Sequence, residues 1–536
     1  MPLRLRRLIR VAISTGAAVL LAVSPSRHLA AQAPTGTLLL TVRGDAGPLA
    51  DARIRLDAID VGVTGPEGRV RLALEAGRRT ILIARIGYAA KRLTVTILPG
   101  AEVTATATME PEEVEVEALT VSAARTERLA GETPIRVEVT PPEEVNEKTG
   151  MSPGGIAMLL TESSGIRVQP TSPSLGTGSV RIQGLPGQYT AMLADGLPLY
   201  GGASSSLGPL SISPVDLSRV EVIKGAASAL YGGQALGGVI NLISRPPTGR
   251  NEVLINRTSR NVTDGAAWLS RRFSPTSGGS LLISATDQGA QDLDNDGYLD
   301  QARLRRWSVR PRYSYADSAG RAVFVTAGGG VDERIGGTEA ERTVADGYGF
   351  RERLSSGRGD VGVSARLPTG AHGFWGLRAA GSTSNRTRDF RSDSAVSTLQ
   401  ELDRISTGFF EITRNTADSQ SAVVLGAALQ GDGYHNELNG GYDHTWWTPA
   451  LFVTAERDVG PVTLSGSIRS DFHPEAGTRV TERLALLFRP AEEWTVRLSG
   501  GTGFAPATAQ LEETEGIGLR KVRPGADLTY ERSIGT

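Results

Sequence analysis

From residue 251 onward, apolar and polar side chains alternate in stretches long enough to be strands with two unlike faces. In "RWSVRPRYSY", Trp307, Val309, Pro311, Tyr313 and Tyr315 alternate with Arg306, Ser308, Arg310, Arg312 and Ser314. In "VTLSGSIRSDF", Val462, Leu464, Gly466, Ile468 and Phe472 alternate with Thr463, Ser465, Ser467, Arg469 and Asp471. "WTVRLSG" repeats the pattern with Trp494, Val496 and Leu498 against Thr495, Arg497 and Ser499. Such segments approach the ~9–11 residues a tilted strand needs to cross a bilayer, apolar toward lipid and polar toward a wet lumen. A soluble sandwich has the same two-residue period, but strand length and arginines on the polar face favour a barrel. About fourteen strands are predicted, with mostly short links such as "SPTSGG" and "RPAEE" at one end and mostly long loops at the other. "SRNVTDG" and "FHPEAG" are short exceptions at the long-loop end.

Upstream, the pattern changes twice. Residues 36–109 read as short strands separated by turn chemistry such as Gly65-Pro66-Glu67-Gly68, which predicts a small β-sandwich. Residues 110–136 form an acidic, proline-containing linker, and 137–246 read as a compact mixed domain. Within the linker "ALTVSAAR" is apolar and strand-prone, either the last strand of the sandwich or an extended peptide able to add to a partner's sheet edge. In "VEVIKGAASALYGGQALGGVINLISR", two strand-like runs flank Gly225, Gly232, Gly233, Gly237 and Gly238. Glycines so grouped allow close backbone approach. A phosphate-cradling loop is disfavoured, because no lysine followed by serine or threonine comes after them.

Bulk composition narrows the class. The net charge is -1, with no polybasic tract, so nucleic acid is not an expected partner. The chain contains no cysteine, which excludes disulfides and thiolate zinc sites and suits an oxidising compartment. Its 65 glycines fit a turn-rich, mainly β protein. Residues 1–33 read as an export signal: Arg4, Arg6, Arg7 and Arg10, an apolar run from Val11 to Val23, then Ala31-Gln32-Ala33. That run is shorter than the ~20 apolar residues of a spanning helix, so membrane insertion is expected through strands.

Two resemblances follow from particular blocks. "GPLADARIRL", "TGPEGRVRLAL" and "AGRRTILIARIGYAAKRLTVTI" resemble the carboxypeptidase-regulatory-like domain, here without zinc-ligand spacing or a nucleophile motif. "LLTESSGIRV", "VRIQGLPGQYTAMLADGLPLY" and "ISPVDLSRVEVIKGAASALYGGQALGGVINLISR" resemble the plug domain of TonB-dependent outer-membrane receptors, with Ala226 where the family usually has proline. The late run "GTGFAPATAQLEE" is similar to a barrel motif of the same family. The resemblance implies a plug inside a transmembrane antiparallel barrel. It also makes Leu119, Thr120, Val121, Ser122, Ala123 and Ala124 a TonB box, and makes TonB, with its inner-membrane energising complex, the partner. Barrels of this family close with about 22 strands. A chain ending at Thr536 is therefore expected to be truncated.

The expected activity is import of a scarce ligand, foremost a ferric siderophore or similar metal chelate, with cobalamin or oligosaccharide as other cargoes. The competing class is a passive porin or surface adhesin. No catalytic constellation is present, so the protein is not expected to be an enzyme and no cofactor is required. Ligand candidates are Tyr189 and Tyr200 in the plug and Arg310 and Arg312 on the lumen face. Those arginines would either attract an anionic chelate or pair with plug carboxylates. In "DLDNDGYLD", Asp292, Asp294, Asp296 and Asp300 are spaced like the start of a calcium loop, but Arg303 stands where a bidentate glutamate belongs. A calcium site and a solvated acidic loop both fit. The five histidines show no ligand spacing, and His435 and His444 read as loop residues.

Overall fold

The computed structural model describes residues 34–44, 47–56, 59–85, 88–109, 123, 125, 130–172, 174–199, 212–339, 349–370, 373–392, 399–418, 420–437, 442–491, 494–508 and 529–536. The export signal, the box residues other than Ala123, and Tyr200 lie outside this set. The chain divides into two compact units, Met1–Glu115 and Val116–Thr536.

The first unit is a sandwich of two four-stranded sheets. One holds β1 (Thr35–Gly44), β2 (Gly47–Pro48), β5 (Arg69–Glu75) and β8 (Glu102–Thr108), with β8 parallel to β1. The other runs β4 (Ile59–Val63), β3 (Arg53–Leu56), β6 (Gly77–Arg85), β7 (Tyr88–Ile97). Alternate residues Leu38, Leu40 and Val42 of β1 and Ile81 and Ile83 of β6 point into one shared core. The two-residue period is thus used as expected.

The second unit begins with the plug. Its sheet has the order β13 (Leu197–Pro198), β12 (Thr190–Ala194), β15 (Gly238–Ser244), β14 (Leu217–Lys224), β9 (Glu138–Thr140). Helices α1 (Pro142–Met151) and α2 (Ala157–Thr161) and the hairpin β10 (Ile166–Ser172)–β11 (Thr177–Ile182) pack on it. Strands β12 and β15 are parallel, and their apolar side chains serve both faces. Met192, Ala194, Ile240 and Leu242 enter one cluster; Ala191, Leu193 and Val239 enter the other. A sheet covered on both sides reads as continuous apolar runs rather than alternation. The short α3 (Ser228–Tyr231) lies between β14 and β15.

Fourteen antiparallel strands follow, paired in chain order. They are β16 (Glu252–Arg257), β17 (Val262–Ser274), β18 (Ser277–Gln288), β19 (Arg303–Ala316), β20 (Ala322–Gly337), β21 (Phe350–Pro368) and β22 (Gly373–Ser392). The sheet continues with β23 (Leu399–Ala417), β24 (Ser421–Asn436), β25 (His444–Val459), β26 (Val462–His473), β27 (Gly477–Ala491), β28 (Trp494–Pro506) and β29 (Tyr530–Gly535). The predicted exceptions hold, since 258–261 and 474–476 are short links at the long-loop end.

This sheet is inverted relative to a soluble protein. Its large apolar side chains are exposed, including Trp307, Leu464, Ile468, Trp494 and Leu484, the last at 70%. Many of its buried residues are polar, among them Asp471, Arg469, Thr454, Glu456 and Glu411. The wall curls round the plug, and arginines from several strands donate to plug carbonyls. Arg306 reaches Gly154 at 3.1 Å, Arg334 reaches Gly176 at 2.8 Å, Arg378 reaches Gly196 at 3.0 Å, and Arg497 reaches Gly131 at 2.9 Å. Plug carbonyls that no sheet ladder satisfies are thereby paired.

A charge placed on the outward band should cost far more than one on the lumen face. Leu484→Arg, midway along β27, is expected to lower folding stability in vesicles by about 2–4 kcal/mol. Urea titration followed by heat-modifiable gel mobility checks it.

Candidate functional site

Among the described residues, three of the groups that join plug to wall bear on function. The first is built on β14, where Val220 and Val222 face one plug cluster and Glu221 and Ile223 face the other. Glu221 is a fully buried carboxylate at a position the pattern would give to an apolar residue. It is retained because it is fully satisfied. Arg219 donates to Oε1 at 3.0 and 2.8 Å, Asn241 donates to Oε2 at 3.2 Å, and the backbone N–H of Ala123 donates to Oε2 at 2.9 Å. The Tyr231 hydroxyl donates to the Ala123 carbonyl at 2.8 Å. Burial pushes the Tyr231 phenol up, which keeps it a donor. Ala123 itself is buried in the second plug cluster.

Two residues on, Arg125 is locked to the wall. Its Nη1 sits 2.8 and 2.7 Å from the two oxygens of Glu411 on β23. Arg378 of β22 donates to the same carboxylate, through Nε at 2.9 Å, and to the Gly196 carbonyl. Arg125 also stacks over Tyr231 at 4.4 Å. Ala123, of the expected box residues the one that the structure describes, is therefore held inside the wall, by its own backbone and by the ion pair just beyond it.

The glycine-rich corner is the second group. Gly232 has φ +80°, and a Cβ there would meet Arg469 at 3.1 Å; one on Gly233 would meet Phe504 and Pro506 at about the same distance. Here the plug backbone touches the wall. Gly237 and Gly238 lie against Leu185, Tyr189 and Ile223 inside the plug, and Gly225 is a positive-φ turn with open space at Cβ. The Ala226 carbonyl accepts from Arg483 of β27.

The third group is a cleft at the long-loop end. Plug residues Gln188, Tyr189 and Gln234 face Gln430, Asp432, His444, Trp446 and His473 of the wall. His444 lies parallel to Trp446 at 3.8 Å, and His473 meets the same indole edge-on at 4.8 Å. Tyr189 donates to Glu531 at 2.6 Å. His444 is thus no solvated loop residue: it opens β25 and stacks. Sequence reasoning missed these histidines because the pairing of β25 with β26 brings them together. Their separation along the chain carries no signal.

The candidate arginines are not free for a ligand. Arg310 holds Asp360 of β21 with two hydrogen bonds of 2.7 Å. Arg312 is paired with plug Asp216, and Asp195 lies 3.8 Å away. Of the two alternatives, pairing holds for both, with plug carboxylates for Arg312 and a wall carboxylate for Arg310. Leaving a guanidinium buried in this wall without a partner would be costly.

These features coincide with known proteins. Residues 130–239 match the family model described as TonB-dependent Receptor Plug Domain. Residues 130–239 are a domain of the plug family. The vitamin B12 transporter BtuB of Vibrio vulnificus is 24% identical over 410 residues, covering 73% of this chain and 64% of that protein. The vitamin B12 transporter BtuB of Photobacterium profundum is 24% identical over 427 residues, covering 74% and 64%. The chain therefore spans slightly less than two thirds of the curated relatives it matches. Among solved structures, the ferric enterobactin receptor PfeA of Pseudomonas aeruginosa superposes with a TM-score of 0.57 at 14% identity, covering 73% of this chain and 64% of that one. The siderophore receptor PiuA of Acinetobacter baumannii gives 0.57 at 13%, covering 74% and 68%. At such identities the agreement concerns the fold, plug within barrel.

In this receptor fold the acidic loop lies between β18 and β19. Oxygens of Asp292, Asp294 and Asp300 fall within 4.8 Å of one another, and Asp296 stands outside the group. Each carboxylate caps loop amides, as Asp292 does for Asn295 at 2.8 Å and Gly297 at 2.9 Å. At Asp294 the amide of Asp296 pulls the pKa down, but desolvation and the neighbouring carboxylates outweigh it and hold the group above its usual range. That mutual repulsion is what a bound cation would relieve, and a calcium titration read in the range of about 10⁻⁴–10⁻³ M separates a calcium site, which saturates there, from a solvated acidic loop, which does not.

The ion-pair lock has its own test. With no natural cysteine, Ala123→Cys supplies a lone thiol at a fully buried site. It is expected to be unreactive toward a water-soluble maleimide. Glu411→Gln removes the charge both arginines share, a loss of roughly 3–5 kcal/mol for a buried pair, and should make the thiol reactive.

Proposed function

We propose that the chain is an energy-coupled importer of the outer membrane, exported by a cleaved signal over 1–33. A scarce, bulky ligand binds at the long-loop end above the plug. Residues 119–124 are the TonB box, which TonB takes up in the periplasm as an added strand. Tension supplied through TonB's inner-membrane complex then draws the segment out and remodels the plug. The work is binding and gated passage, with no bond made or broken. The sandwich at 36–109 is a non-catalytic accessory module.

The observation that carries this reading is the state of Ala123. A plain tether between two domains has no need to place its backbone N–H on a buried plug carboxylate and its carbonyl on a buried phenol. A peptide that must be held until pulled does. For the cargo, the named relatives handle vitamin B12 and ferric enterobactin, and a metal chelate is the first class to assay.

Deletion of 119–124 in the full-length protein is expected to abolish concentrative uptake while leaving surface binding intact. A passive porin or an adhesin would be unaffected by the same deletion. Growth of the deletion strain on panels of iron sources, vitamins and glycans reads the first outcome, and whole-cell ligand binding reads the second.

A further inference from the structure

The cleft between the plug and strands β24, β25, β26, β28 and β29 has a composition that points to a ligand chemistry. Its ionisable groups are already engaged with one another. Asp432 lies 3.2 Å from the His444 ring, Asp471 is bound by Arg469 at 2.8 Å, and Glu531 accepts from Tyr189. No lysine or arginine lines it among the described residues. A multiply anionic chelate would therefore be desolvated against carboxylates with no cation to receive it.

What remains unspent is neutral hydrogen-bonding capacity. Gln188, Gln234 and Gln430 converge on the cleft half-buried, and their side-chain amides make no hydrogen bond to the protein among the described residues. Each amide offers a donor and an acceptor side by side in one plane. That matches two neighbouring hydroxyls, one accepting and one donating. Beside them Trp446 is half-buried, and the histidine stack fixes its orientation before any ligand arrives. An indole face carries negative potential and favours the weakly positive C–H face of a saturated ring. The cleft is partly open and its volume is about 80 Å³, room for roughly three water volumes. It can grip one ring edge or the end of a chain, not a whole compact ligand.

We propose that this cleft is a saccharide subsite, taking one neutral, hydroxyl-rich ring stacked on Trp446 and held by Gln188, Gln234 and Gln430. The proposal rests on the receptor reading for the place where cargo arrives, and it narrows the cargo to ligands that carry such a ring.

The test uses the full-length protein in outer-membrane vesicles, calorimetry, and a panel of neutral linear gluco-, manno-, galacto- and xylo-oligosaccharides. Ferric enterobactin and cyanocobalamin serve as comparators. At least one oligosaccharide class is expected to bind, with affinity falling roughly tenfold or more in Trp446→Ala. Trp447→Ala removes the neighbouring outward-facing indole and should leave affinity unchanged. If Trp446→Ala loses its heat-modifiable mobility, the double variant Gln234→Ala/Gln430→Ala carries the test with the same expected loss. Absence of saccharide binding at millimolar concentration overturns the proposal, as does binding indifferent to these variants. Tight binding of a comparator with TonB-box-dependent uptake would do so while sparing the receptor reading; uptake indifferent to loss of 119–124 would instead sink that reading.

Discussion

The constraint on which this structure depends is that a wall with an apolar outside must compensate the charge it turns inward, with carboxylates for most of its arginines and with plug carbonyls for others such as Arg483. The lumen face carries Arg306, Arg310, Arg312, Arg378, Arg388 and Arg469, and each has a carboxylate partner: Asp332, Asp360, Asp216, Glu411, Glu352 and Asp471 respectively. Where the partner belongs to the plug, cancelling charge and seating the plug are one event. Where it belongs to the wall, the pair strengthens the wall instead, across neighbouring strands as in Arg306–Asp332 or within one strand as in Arg469–Asp471. Guanidinium groups suit both tasks, because spare N–H donors remain for plug carbonyls after the carboxylate is bound.

Much of this was legible in the sequence, for identifiable reasons. The wall obeys a two-residue period, and Trp307, Leu464 and Trp494 are exposed as alternation requires. The strand count and the short links at 258–261 and 474–476 follow from the same pattern. The plug was less transparent. Its central strands are buried on both faces, so periodicity is silent. Helix α1 carries little apolar period, because only Val145 and Thr149 of its residues are buried. Residues 137–246 were placed by motif blocks rather than by period.

The contacts between plug and wall were the least legible. Arg125 and Glu411 are 286 positions apart, and no local rule pairs them. The same holds for the His444–Trp446–His473 stack, assembled from two strands whose ends meet only in the folded sheet. Glu221 did leave a trace: a lone acid within "RVEVI" breaks an apolar run. Such a break marks a buried carboxylate whose partners lie elsewhere in the chain.

Ala123 has one more implication. It belongs to the same apolar cluster as Leu193, Ile223, Leu230 and Val239, a cluster that wall residue Ala485 also enters. When that residue departs, the oily layer beneath β14 loses its lid and Glu221 loses a donor in the same instant. Water is the ready substitute for both. On the proposed function, extraction of the leading peptide would therefore be coupled to wetting of the plug's interior.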